Sequence, residues 1–190
     1  FRSQLSTLFS AISQHTTSST NESNQFVAIK ASVELLCTVD LDASANQISE
    51  LVQTICLEMD DLSGDEIPAV MGVFMQYFDF EGKKMGSHAE GQMKQVLDLL
   101  TKLLSMCESS TVLIEADADG NGMALSEYRT HFIERVIERD WNAEYVCPLL
   151  TVFRECHISD DLLIATVNKI STLLSKTKDS VVASTIYQVL

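Results

Sequence analysis

Apolar residues recur at helical spacing along almost the whole chain, and nothing else limits its fold so strongly. Leu5, Leu8, Phe9 and Ile12 follow the i, i+3, i+4, i+7 rule that lines side chains along one face of a helix. Ile48, Leu51, Val52, Ile55, Cys56 and Met59 do the same, as do Ile67, Val70, Met71, Phe74, Met75 and Phe78. Met93, Val96, Leu97, Leu100, Leu103, Leu104 and Cys107 hold one face for four turns. Later faces are marked by Phe132, Ile133, Val136 and Ile137, by Val146, Leu149, Leu150 and Phe153, by Val167, Ile170 and Leu174, and by Val182, Ile186 and Val189. These spacings predict about nine helices, each roughly 10–18 residues long.

Punctuation along the chain agrees. With 7 glycines and 2 prolines in 190 residues, the many tight turns of a β-sandwich have no sequence support. Ser63 precedes Glu66 by three residues, the spacing of a capping box. Ser159 stands before Asp160 and Asp161, so a cap is followed by acids at the positive end of a helix. Asn142 is placed to cap the helix holding Tyr145, and Pro148 falls in about the second turn of that helix, where it is expected to kink it. Most links are short, which makes sequential helices antiparallel neighbours. Two are longer: His15 to Gln25, rich in Ser, Thr and Asn, and Glu108 to Met123, with an acidic tip at Asp117 to Gly122. The expectation is an all-α fold without sheet, an α-solenoid of antiparallel helical hairpins in the manner of HEAT or armadillo repeats. Residues 1–190 are read as one solenoid segment of a larger protein, since Phe1 is not a methionine and Ser184 to Leu190 is apolar-rich without a stop signal. Within it, an acidic loop over 108–123 separates residues 1–107 from residues 124–190.

Charge narrows the function classes. There are 27 acidic and 13 basic residues, a net charge of −14, and no basic cluster longer than Lys83-Lys84. DNA-binding modules present a basic face to displace cations from phosphates, so any DNA contact of the parent protein is expected elsewhere in it. The acidic surface keeps the segment soluble or meets a basic partner. Five cysteines, Cys37, Cys56, Cys107, Cys147 and Cys156, sit in or beside apolar helical stretches with no C-x-x-C spacing. That is the pattern of reduced, mostly buried thiols in a cytosolic or nuclear protein. No apolar run approaches the ~18 residues that span a bilayer.

The sharpest local motif is Asp117-Ala118-Asp119-Gly120-Asn121-Gly122, the first half of an EF-hand loop. Calcium there needs a bidentate Glu at position twelve, which in this chain is Tyr128; Glu127 lies one residue early. The motif is read as an acidic loop whose Gly and Asn residues permit turns. Cys156 and His157 are adjacent, a poor arrangement for acting on one another. His15, His88, His131 and His157 show no H-x-x-x-H or H-E-x-x-H spacing for zinc. Gly82-Lys83-Lys84 lacks the glycine spacing and hydroxyl of a phosphate loop, and Met71 and Met75 read as core filling. Ser3-Gln4 and Ser13-Gln14 match dipeptides used by DNA-damage kinases, but both fall in a predicted helix, where the backbone is a poor kinase substrate. No catalytic, cofactor-binding or metal-binding residue, cofactor, small-molecule substrate or membrane contact is expected.

The C-terminal half resembles a known family. Glu127-Tyr128 opens a helix after a Gly-Asn loop, followed by Trp141, Tyr145-Val146, Val152-Phe153-Arg154, Leu174-Ser175-Lys176 and Tyr187-Gln188-Val189-Leu190. In order and spacing these resemble the N-terminal solenoid of the Fanconi anaemia group I protein family. Leu57-Glu58-Met59 and the leucine-rich stretch Leu97 to Leu104 extend the likeness back toward Phe26. Asp140 departs from the basic residue that the family tends to carry before its Trp, and the Asp117 to Gly122 loop is unusually acidic. The resemblance implies a nuclear, non-enzymatic α-solenoid scaffold. Its parent would pair with a paralogous partner, the group D-two subunit, and clamp DNA in interstrand cross-link repair. The family's ubiquitin-acceptor lysine and main phosphorylation cluster lie beyond this region, so no modification site is carried over. Alternative readings are a generic HEAT- or armadillo-like interaction adaptor and a calcium-binding regulatory module.

Overall fold

A computed structural model of the chain describes residues 22–38, 45–78, 90–114, 122–141, 143–156, 158–176, 178 and 180–189. They form eight α-helices: α1 Glu22–Thr38, α2 Ala45–Glu58, α3 Glu66–Tyr77, α4 Glu90–Cys107, α5 Leu125–Glu138, α6 Ala143–Glu155, α7 Asp160–Lys176 and α8 Ser180–Val189. A 3-10 turn, Met59–Asp61, extends α2. The ninth predicted helix, on Leu5 to Ile12, lies outside the described residues. So do Ser3-Gln4, Ser13-Gln14, Gly82-Lys83-Lys84, Asn142, His15, His88, His157 and Asp117 to Asn121.

The helices stack in two layers. The largest contacts join helices two apart in sequence: α1 with α3 and α5 with α7 in one layer, α2 with α4, α4 with α6 and α6 with α8 in the other. A smaller contact between α3 and α5 completes the odd layer. Each hairpin therefore leans on the one before it, which is the packing of an α-solenoid. The helices bury apolar doublets: Leu36 and Cys37 on α1, Leu51 and Val52 on α2, Phe74 and Met75 on α3, Leu99 and Leu100 with Leu103 and Leu104 on α4, Phe132 and Ile133 on α5, Leu149 and Leu150 on α6. A doublet spans about 100° of helix surface, wide enough to serve two neighbours at once.

Local signals are met in part: α3 has Asp65 at its N-cap and no side-chain cap bond. The Glu66 carboxylate accepts a 2.8 Å bond from the Ser63 N–H, the return half of the expected capping box. At α7, the Ser159 carbonyl accepts the Leu163 N–H at 2.8 Å, and Asp160 and Asp161 occupy the first turn. Pro148 lies inside α6, where it leaves the carbonyl four residues earlier without a ladder partner.

Two expectations are corrected. Helix α1 starts at Glu22, inside the predicted His15 to Gln25 link. Its polar opening Glu22-Ser23-Asn24 has link composition, yet Ile29, Val33, Leu36 and Cys37 supply a buried helical stripe just beyond. The fold also contains a sheet, where none was expected: β1 Leu113–Ile114 pairs antiparallel with β2 Met123–Ala124, Leu113 opposite Ala124 and Ile114 opposite Met123. This miniature pair has a capping role. Helix α5 has Ala124 at its N-cap and no side-chain cap. Its Leu125 and Ser126 N–H groups instead donate to the carbonyls of Val112 (2.9 Å) and Ser110 (3.3 Å), in the segment leading into β1. The same segment meets the α2–α3 turn so closely that a Cβ on Gly64 would stand 2.3 Å from Val112 Cγ1.

Candidate functional site

If this chain touches nucleic acid, its lysines and arginines must be available to do so, and the structure commits several of them internally. Arg129 on α5 is 5% exposed, and its Nε donates to the Leu104 carbonyl in the last turn of α4 at 2.8 Å. Arg139 follows α5 as its C-cap, outside the helix that holds Arg129 and Arg135. Its guanidinium donates to the Met75 carbonyl in the last turn of α3 at 3.2 Å. Lys102 on α4 donates to the Cys56 carbonyl near the end of α2 at 2.5 Å and pairs with Asp60 at 2.9 Å. Lys169 on α7 donates to the Arg139 carbonyl at 2.5 Å. These carbonyls belong to helix C-termini, where the last four acceptors lack partners and the dipole is negative, so a cation answers both needs. Gln92, buried on α4, does the same without charge, donating to the Leu36 carbonyl at the end of α1 at 2.9 Å. A buried charge-assisted bond such as that of Arg129 contributes roughly 1.5–3 kcal/mol.

Around Lys169 these contacts form a cluster. Its Nζ lies 5.4 Å from the centroid of the Trp141 ring. Trp141 is buried, donates its indole N–H to the Val136 carbonyl at 2.9 Å and stacks on Phe153 at 5.7 Å. Desolvation lowers the pKa of Lys169, against the opposing field of Asp140. Asp140 thus faces a lysine from the next hairpin. Neighbouring Tyr145 meets Phe78 edge-on at 5.3 Å, tying α6 to the end of α3. The motif residues Trp141, Tyr145 and Phe153 are structural anchors of the third hairpin.

The buried thiols are chemically quiet. All five cysteines are free, and Cys37, Cys107 and Cys156 are buried. Burial pushes Cys37 and Cys107 up to about 12, and raises Cys156 against the lowering influence of Arg129. A nucleophilic cysteine needs the opposite, a depressed pKa and access. Cys107 Sγ lies 3.9 Å from Met71 Sδ inside the core.

Of the EF-hand fragment, Asp117 to Asn121 lie outside the described residues. Tyr128, at the position where calcium needs a bidentate carboxylate, belongs to α5, and its hydroxyl is 3.4 Å from the Pro68 carbonyl of α3. Glu127 beside it is exposed. His131, the one histidine among the described residues, is exposed and bonds Glu134 at 2.9 Å. Among the described residues no group of His, Cys, Asp or Glu is arranged to hold a metal, and no helix is long and apolar enough to cross a membrane. The apolar surface they leave open is concentrated on α7, at Leu163, Ile164 and Val167.

Sequence reasoning missed that Arg129 points inward. A signal was available: Leu125, Arg129, Phe132 and Val136 share one helical face, and all four are buried. The carbonyl partners of Arg139, Lys102 and Lys169 lie 64, 46 and 30 residues away, beyond any local signal.

No curated protein matches the chain. The family model described as FANCI solenoid 1 matches residues 22–190, the span over which the two-layer stack is built. With the repeat packing, the C-terminal motif residues and this match in agreement, the chain belongs to the FANCI solenoid 1 family.

Proposed function

We propose that this chain is a non-enzymatic scaffold segment of a nuclear DNA interstrand cross-link repair protein, whose parent pairs with the paralogous group D-two subunit and clamps DNA. The family match over residues 22–190 carries the reading. Chemistry is consistent with it: burial holds the Cys37 and Cys107 thiols in their protonated form at neutral pH, as suits a part that presents surfaces. In this reading residues 1–190 act as one solenoid segment, and DNA contact belongs to other regions of the parent. The net charge of −14 opposes phosphate, and Lys102, Arg129, Arg139 and Lys169 are engaged with helix ends.

The test has two arms. Pull-down of the full-length parent with the paralogous subunit should recover a complex; a parent that fails to pair with it sinks the heterodimer reading. Fluorescence anisotropy of the isolated chain with labelled duplex at about 0.15 M salt, where charges more than ~8 Å apart are screened, should show no submicromolar binding. Tight binding that weakens steeply with added salt would overturn the division of labour and reveal a basic face gathered by folding.

A further inference from the structure

Helices α5 and α7 share a register. On α5 the buried stripe runs through Leu125, Arg129, Ile133 and Val136. Tyr128 lies on one flank of that stripe and its hydroxyl meets the Pro68 carbonyl, so this flank faces α3. Helix α7, the other same-layer neighbour of α5, takes the opposite flank, Ser126, Thr130 and Ile137. There Ser126 and Thr130 are half-buried and Ile137 is buried.

On α7, Leu162, Thr166 and Ile170 form the buried stripe in the places of Leu125, Arg129 and Ile133. Lys169 lies on the flank toward the earlier helix and reaches the Arg139 carbonyl at the end of α5. The opposite flank is Leu163, Val167 and Leu174, in the places of Ser126, Thr130 and Ile137. It is more apolar than its counterpart on α5, yet Leu163 and Val167 are open to solvent and Leu174 is only partly buried. Ile164 stands on the outer side of the helix, in the place of the exposed Glu127.

We infer that the flank of Leu163, Val167 and Leu174 is a docking face for one more amphipathic helix of the odd layer, supplied by the parent chain after residue 190; this rests on the reading above that residues 1–190 are one segment of a longer protein. The face continues the α3–α5–α7 interface, and α8 occupies the across-layer side of α7, so the open end of the layer is what remains. The odd helices begin at residues 22, 66, 125 and 160, and even the shortest of these steps, taken again from α7, ends beyond residue 190. A second copy of the chain fits less well, because it would bring together two bodies that each carry a net charge of −14. Ile164 lies outside the docking face and stays in water.

Thiol accessibility in the full-length parent tests this. Leu163→Cys, Val167→Cys and Ile164→Cys are each labelled with a maleimide under native conditions. Peptide mass spectrometry separates the introduced thiol from the five native ones. Leu163→Cys and Val167→Cys should react at least about tenfold more slowly than Ile164→Cys, because a thiol beneath a packed helix reacts only when that helix opens. Ending the parent at residue 190 should bring both slow thiols to the Ile164→Cys rate. Equal rates at the three positions in the full-length parent would overturn the inference. So would protection that survives the truncation, that appears only with the paralogous subunit bound, or that rises with protein concentration, the mark of a second copy. Should the truncated chain fail to fold, seen as labelling of the buried Cys107, the full-length comparison decides alone. The result is separable from the function proposed above. A parent that pairs with the group D-two subunit yet labels evenly loses only this docking face, and one that fails to pair yet protects both positions keeps it.

Discussion

Helices α4 and α7 carry similar apolar periodicity and meet different fates. On α4, Leu99, Leu100, Leu103 and Leu104 are all buried to within 1%. On α7, Leu162, Thr166 and Ile170 are buried, while the residues following the first two, Leu163 and Val167, are 51% and 39% exposed, and Ile164 is 63% exposed. The difference lies in the neighbours. Helix α4 has α2 and α6 beside it in its layer, with further contacts to α1, α3 and α5, whereas α7 touches α5 in its layer and α8 across it. An apolar stripe in a repeat fold thus reports how many neighbours a helix can accept, and burial reports how many it has.

The largest expected effect tests the covered side of this comparison. Leu103→Ala should cost about 2–5 kcal/mol in urea or guanidinium unfolding, since a fully buried leucine leaves a cavity when truncated. A loss under about 1 kcal/mol would mean that α4 is not the packed centre of the stack.

Titration of the α4 thiol sharpens the same point. Burial raises Cys107 from 9.0 to about 12, so between those values the unfolded chain releases a proton that the folded chain retains. The unfolded state then binds fewer protons, and stability falls as pH rises, by up to about 1.4 kcal/mol per pH unit for each such thiol. Cys107→Ala should therefore lose stability less steeply than wild type between pH 9 and 12, measured by denaturant unfolding across that range. Identical slopes would show that Cys107 is not held neutral by the core.

A smaller effect is expected at Gly64→Ala. The added methyl meets Val112 Cγ1, and Val112 is half exposed, so its side chain can give way; a loss of about 1 kcal/mol in thermal or chemical unfolding is expected, at the low end of overpacking costs. No loss would separate the α2–α3 turn from the segment that caps α5. Smallest of all, Ile164→Ser on α7 should change stability by no more than about 0.5 kcal/mol, the range of surface substitutions. A cost of 2 kcal/mol in the isolated chain would erase the contrast with α4.

Helix positions were legible because periodicity is a property of the chain itself. The face of α4 and the capping box at Ser63 are both written in adjacent residues. Three features were not. The start of α1 hid behind a polar opening, and β1–β2 are too short to set up any alternation. The contrast between Ile164 and Leu103 depends on which neighbours are present, which no single stripe encodes. At the candidate site, the family motif residues were identifiable, but their roles came from distant partners: Trp141 is fixed by the Val136 carbonyl, Phe153 and a lysine in the next hairpin. The inward turn of Arg129 was readable from its place on a buried face. That it ends on the Leu104 carbonyl was not.

The helix-end bonds of Lys102 and Arg139 run from later residues to earlier ones, and that order has a meaning in time. A ribosome delivers Cys56 long before Lys102, which follows it by 46 residues, and Met75 before Arg139, which follows by 64. At 5–20 residues per second, the end of α2 waits roughly 2–9 s for its lysine and the end of α3 roughly 3–13 s for its arginine. During synthesis the ends of α2 and α3 are therefore completed only by residues of a hairpin that emerges later.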